Sequence, residues 1–205
     1  MPPHLDLPMK PPPESRPFSV ALKEWSLLCD LLASGGQSIL LRKGGIYESG
    51  GVFELENNEF LLYPTFVHQN PDMLKPGFSS LVKPLAHEPE SVRINTWAKV
   101  HWIGQVPDRP RMNQLADMHI WNDKFLDMRF NYRPDYPLYL VLLQVYRLKS
   151  PLELPMHQDY VGCRSWVELK SPLNIESSEP VHSIPELQAI QDRILRVFAQ
   201  TVVFQ

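Results

Sequence analysis

QSILLRKGGIYESGGVFELENNEFLLYPTF, residues 37–66, decides the fold class. Residues 37–41 (QSILL) are a short β-rich run leading into Arg42-Lys43-Gly44-Gly45. From Ile46 onward the pattern is short strands joined by a Gly50-Gly51 turn, with Phe60-Leu61-Leu62-Tyr63 the strongest of them. Pro64 ends or edges that strand, because proline has no N–H to give the ladder. Strand, turn and strand follow one another without a helical crossover. That excludes a doubly wound βαβ sheet and favours a mostly antiparallel or mixed one.

The flanking sequence agrees. In 92–106 (VRINTWAKVHWIGQV), Val92, Ile94, Thr96, Ala98, Val100 and Trp102 share one parity. Arg93, Asn95, Lys99 and His101 take the other, as in a half-buried antiparallel strand. Residues 138–148 are apolar on both parities and read as the central strand; 164–169 (RSWVEL) form a shorter one. Residues 70–77 read as a helical turn closed by Pro76 and Gly77.

Three helices accompany the strands. The first is expected from Ser19, with Ala21, Leu22, Trp25, Leu28, Cys29 and Leu32 as its apolar stripe and Gly35-Gly36 as its stop. A second is expected over 112–126, with Leu115, Met118, Trp121, Phe125 and Leu126 on its apolar side. The last follows Ser183, where a capping box to Glu186 and an early proline, Pro185, coincide. The expected fold class is therefore α+β: a mixed, mostly antiparallel sheet with about three packed helices. In one version the sheet curls into a barrel, by analogy with small RNA-binding and modified-base-reading modules.

The chain has 205 residues, which suits one domain, expected over 18–205. Residues 1–17 hold seven prolines (Pro2, Pro3, Pro8, Pro11, Pro12, Pro13 and Pro17) and are expected to be an extended or disordered tail. Cys29 and Cys163 are too few for a disulfide framework or a structural zinc site. The longest apolar run, PLYLVLLQVY (137–146), suits a buried strand and is too short for a bilayer. No membrane partner is expected, and the cytoplasm is the expected compartment. Twenty basic against 23 acidic residues, a net charge of −3, argue against broad non-specific nucleic-acid binding but leave room for a local basic site.

Such a site is expected where Arg42-Lys43-Gly44-Gly45 meets the segment from Tyr63. Glycines free backbone amides to approach a ligand, and the basic pair adds charge, so an anion suits this corner. Tyr63, Thr65, His68 and Gln69 follow a neighbouring strand and are expected to line the same cleft. The P-loop spacing is absent. The residue-level alternative is a solvated hairpin turn beside a satisfied histidine.

The segments ALKEW (21–25), LLRKGGI (40–46), EFLLYPTFVHQ (59–69) and GCRSWVEL (162–169) resemble the DUF1802 family, a bacterial and largely cyanobacterial group of unknown function. The resemblance covers the chain after the tail. It transfers no catalytic residues or cofactor. It implies a restriction–modification context, and with it nucleic acid as a partner.

Four further constellations carry other chemistry. Asp159 with Glu168 and Lys170 forms a D…ExK pattern, by which nucleases hold Mg²⁺ and activate water; Glu153 is the candidate third carboxylate, and the bland account is an edge-strand Glu–Lys pair. Cys163 and His157, with Arg164 nearby, are spaced for a nucleophile and its base, but packing explains them as well. His68, His101, His119 and His157 include no i,i+4 pair and no HExxH, so no metal site is expected from them. Arg109, Arg111, Arg129 and Arg133 interleave with Trp121, Phe130, Tyr132 and Tyr136, a mixture that suits strand binding. Asp108, Asp117, Asp123, Asp127 and Asp135 dilute it with internal ion pairs.

Three classes of function follow. The leading one is a non-catalytic domain recognising a nucleic acid or small anionic ligand through Arg42–Gly45 and Tyr63–Gln69, without a cofactor. The second is a metal-dependent phosphodiesterase or nuclease, the one reading that calls for Mg²⁺. The third is a structural or protein-interaction module, which an exposed apolar patch would mark. No pattern in the chain sets an oligomeric state.

Overall fold

A computed structural model describes residues 16–43, 48–49, 52–53, 57–162 and 164–199. The strands are β1 (Arg16–Trp25), β2 (Ile39–Arg42), β3 (Glu48–Ser49), β4 (Val52–Phe53), β5 (Glu59–Thr65), β6 (Ser91–Gln105), β7 (Tyr139–Pro155), β8 (Trp166–Ile175) and β9 (Ser178–Pro180). The helices are α1 (Ser26–Ser34), α2 (Pro76–Ser79), α3 (Arg109–Asn113), α4 (Asp123–Asn131) and α5 (Ile184–Ala199), with short 3₁₀ turns at Pro71–Met73, Ala116–Met118 and Gln158–Tyr160. The expected Gly50-Gly51 turn lies outside the described residues.

The main sheet runs β2-β7-β6-β5-β1-β8, with β9 also on β7, while β3 and β4 pair separately. Among the described residues β1 and β5 are the parallel pair, and the other strand pairings are antiparallel. The mixed, mostly antiparallel sheet is as expected, but the barrel is not formed. Its terminal strands β2 and β8 do not pair with each other, so the sheet stays open. The reason lies in α1. The chain leaves β1 through this helix and reaches β2 across the sheet face, and Leu27, Leu28 and Leu32 join the core there. The volume a closing barrel would enclose is filled by helix.

Two cores result, one on each face. The larger combines α1, α4 and α5 with apolar side chains of β2, β5, β6 and β7; the smaller gathers Phe18, Ala21, Leu61, Tyr63, Trp97, Val167 and Ile175 on the opposite face. β1 is buried on both sides. Adjacent Ala21 and Leu22 face the smaller and the larger core respectively, at 0% and 5% exposure. A strand buried on both faces spaces apolar residues much as a helix does. This corrects the expected helix at Ser19: 16–25 is strand, and helix begins at Ser26. Its end is as expected, with Gly35 at φ 79° in the left-handed region that glycine adopts cheaply.

The expected helix over 112–126 is also corrected. It breaks into α3, the 3₁₀ turn and α4. Asp108 caps α3, its carboxylate accepting from Arg111 N at 2.8 Å, and Asn122 caps α4, accepting from Phe125 N at 3.1 Å. Both side chains give the backbone a reason to restart. Between them Trp121 bridges to Leu74, and Asn122 Nδ2 donates to the Leu74 carbonyl at 3.0 Å. At the C-terminal helix the capping box forms: Ser183 N donates to Glu186 at 2.7 Å, and Glu186 N to Ser183 Oγ at 3.4 Å. Leu187, Ile194 and Val197 supply the buried face of α5. Among the described residues no helix is long and apolar enough to cross a membrane.

Candidate functional site

Parallel pairing sets the carboxyl ends of β1 and β5 side by side, with Trp25 opposite Thr65. The end of β2, the loop after β5 and the first turns of α4 meet the same corner. Between them lies a cavity of about 220 Å³, lined by Glu24, Trp25, Arg42, His68, Met73, Trp121, Phe125, Met128 and Arg129 among others.

Charge in the cavity is organised around one carboxylate. Arg42 Nη2 forms an ion pair with Glu24 and donates to the Lys23 carbonyl at 3.0 Å, and both Arg42 and Glu24 are largely buried. Burial pushes the Glu24 carboxyl up, and the charges of Arg42 and Arg129 oppose that shift. Burial likewise lowers the pKa of the Arg129 guanidinium, assisted by Arg42. Two guanidinium groups thus share one carboxylate, a local balance of one positive charge. The Nε atoms of Arg42 and Arg129 are buried with no hydrogen-bond partner among the described residues. A buried donor left unpaired costs about 1–3 kcal/mol.

The opposite wall is aromatic. Trp121 stacks on Phe125 with centroids 3.9 Å apart, and Trp25 meets Trp121 edge-on at 5.0 Å. Arg129 lies over the Phe125 ring at 5.0 Å. Trp121 and Phe125 are buried in this packing, and Trp25 is the partly exposed ring of the wall beside the cationic corner.

The expected site residues are distributed unevenly around it. Arg42 and His68 both line the cavity. Thr65 and Gln69 stand behind it: Thr65 Oγ1 donates to the Glu24 carbonyl at 3.0 Å, and Gln69 Nε2 donates to Ser26 Oγ at 3.0 Å and to the Thr65 carbonyl at 2.9 Å. These bonds clamp the loop on which exposed His68 sits at φ 65°, a left-handed conformation uncommon for residues other than glycine. Lys43 turns away from the cavity and donates to the Phe130 carbonyl at 2.8 Å, fastening the end of α4. Tyr63 points into the smaller core on the other face, its hydroxyl against Met156 Sδ at 3.4 Å. Gly44 and Gly45 lie outside the described residues.

Sequence reasoning missed Glu24, Trp25, Trp121, Phe125 and Arg129 as partners of this site. The i,i+4 spacing of Phe125 and Arg129 was a usable signal, since such residues share one side of a helix.

The other constellations assemble less. Asp159 and Lys170 form an exposed ion pair, which holds the Asp159 carboxyl low and the Lys170 ammonium high. Glu168 is exposed on β8, the strand that also carries Lys170, and Glu153 accepts from Ser91 Oγ at 3.2 Å. Among the described residues no three His, Cys, Asp or Glu side chains gather as a metal would need. His157 Nδ1 accepts from Asp159 N at 3.2 Å; Cys163 lies outside the described residues. Of the basic–aromatic stripe, Arg109 pairs with Asp123 and Asp127 and Arg111 with Asp108, whereas Arg129 reaches the cavity.

The family model described as "Domain of unknown function (DUF1802)" matches residues 21–193. No curated protein matches the chain significantly. Among solved structures, the chain is similar to the ASCH protein of Zymomonas mobilis at 11% identity and TM-score 0.42, over 74% of this chain and 87% of that one. A variant of the same protein aligns at 12% identity and TM-score 0.41, over 76% and 92% respectively. Likeness at this level assigns no activity.

Proposed function

For this chain, which belongs to the DUF1802 family, we propose recognition of a nucleotide moiety in the Glu24–Arg42–Arg129 cavity. The observation that carries the reading is that Arg42 and Arg129 both line the cavity, with Glu24 as their one carboxylate, beside an aromatic wall. Trp25, the partly exposed ring of the wall, gives a planar base a face to stack on, a contact worth about 1–3 kcal/mol per base. A phosphate accepts from guanidinium donors and balances their excess charge. The volume supports a small occupant: about 220 Å³ is below the roughly 300–1,000 Å³ of sites for drug-sized ligands. Glu24 holds Arg42 in place through their ion pair, and its charge also acts on Arg129.

The role is binding without chemistry. Nothing in the cavity pairs a nucleophile with a base, and no observation favours the metal-dependent alternative. A nucleotide site also accords with the restriction–modification context that the family resemblance implies.

Calorimetric titration with adenosine and cytidine 5′-monophosphates, and with the matching nucleosides, tests this. The monophosphates are expected to bind wild type at least tenfold more tightly than the nucleosides. Arg129→Gln is expected to remove that difference. Equal affinity for phosphorylated and unphosphorylated forms, or the same preference in Arg129→Gln, would overturn the reading.

A further inference from the structure

Beyond the cavity, α4 runs on to an exposed ledge. Met128, a cavity residue, is 42% exposed, and one turn later Tyr132 and then Tyr136 are each 50% exposed. Tyr132 N donates to the Met128 carbonyl at 2.9 Å, which ties the ledge to the helix, and Tyr136 N donates to the Arg133 carbonyl at 2.9 Å in a tight turn. Arg133 adopts φ 46° there and lies 5.4 Å from the Tyr132 ring centroid. Cavity and ledge are thus one surface.

Its charge is more favourable to an anion than composition suggests. Asp123 and Asp127 are held by Arg109, and Asp72 by Lys124. Arg129 inside the cavity and Arg133 on the ledge are the cations along the path, and exposed Asp135, between Arg133 and Tyr136, is the carboxylate that a bound phosphate must avoid.

We propose that the occupant is one nucleotide of a single strand, whose neighbouring bases stack on Tyr132 and Tyr136 with Arg133 at the intervening phosphate. This rests on the nucleotide reading of the cavity and extends it to a substrate class. Two half-exposed aromatic rings with an arginine between them suit unpaired bases, whose faces are free, and not a duplex, whose faces are stacked. The surface holds too few cations for duplex binding by charge alone.

The test compares a trinucleotide, as RNA and as DNA, with a mononucleotide and a duplex of the same sequence. The proteins are wild type and Tyr132→Ala/Tyr136→Ala. The trinucleotide is expected to bind wild type at least about tenfold more tightly than the mononucleotide, the increment one stacked base supplies. The double variant is expected to lose that gain and keep its mononucleotide affinity, which also certifies its fold. The RNA and DNA arms distinguish the two sources of single strand. A trinucleotide no tighter than the mononucleotide, or a gain that survives the double variant, overturns the strand proposal and leaves the cavity reading intact. Tighter binding of the duplex, or of an acidic peptide of equal charge, also overturns it. Failure of the mononucleotide itself sinks the cavity reading and the strand proposal together.

Discussion

Arg42 grips two consecutive residues at once: its Nη2 donates to the Glu24 carboxylate and, at 3.0 Å, to the carbonyl of Lys23. The end of β2 is thereby locked to the end of β1 across sheet strands that are not neighbours. Function and stability are expected to share this contact. Glu24→Ala leaves both guanidinium groups without their carboxylate, and removing one partner of a buried pair typically costs about 3–5 kcal/mol. Urea unfolding of the variant is expected to show a loss of that order, and an unchanged midpoint would count against the pairing.

His68 is held at φ 65° by its neighbour Gln69. His68→Gly relieves the left-handed conformation, so the unfolding free energy is expected to stay constant or rise by up to about 1 kcal/mol. Nucleoside monophosphate affinity is expected to fall in the same variant. Stability and binding moving in opposite directions is the signature of a residue placed for its ligand, and a parallel loss of both would mark it as structural.

Gln69→Leu keeps the bulk and removes two donors, to Ser26 Oγ and to the Thr65 carbonyl. Each such bond contributes about 0.5–1.5 kcal/mol net. Denaturant unfolding is expected to show a loss of about 1–3 kcal/mol, and amide exchange in 66–70 is expected to quicken. Exchange as slow as in wild type would show that another contact holds the loop.

His119 sets an acid-side stability limit. It is buried, and burial together with the Lys75 ammonium lowers its pKa to about 4 from the usual 6.5. Between those values the unfolded chain binds a proton that the folded chain refuses. Stability from this residue is therefore present above pH 6.5 and lost as pH falls toward 4, by up to about 1.4 kcal/mol per pH unit. His119→Gln is expected to flatten the profile in that window, and the same slope in both proteins would contradict it.

The sequence made parts of this legible and hid others for physical reasons. Alternation over 92–106 marked β6 because that strand has a wet and a dry face along much of its length. The Ser183–Glu186 box marked the start of α5 because capping is local. Arg42 and His68 were placed at one hollow from the glycine corner and the polar run after β5, and both line the cavity. Glu24 and Trp25 were concealed because β1 is buried on both faces and mimicked a helix. The remaining wall comes from 121–129, about 80 residues after Arg42 in the chain, and pairing over that distance leaves no local periodicity. Tyr63 illustrates the converse error. Its neighbours in sequence reach the site, but strand alternation sends its ring to the opposite core.

The most direct test of the account is the arginine Nε–H spectrum during titration with cytidine 5′-monophosphate. The Nε–H resonances of Arg42 and Arg129 are expected to shift together and to saturate with the binding curve, while those of Arg16 and Arg193 stay fixed. Saturable binding that leaves the Arg42 and Arg129 signals unmoved would contradict the claim that these two guanidinium groups receive the ligand.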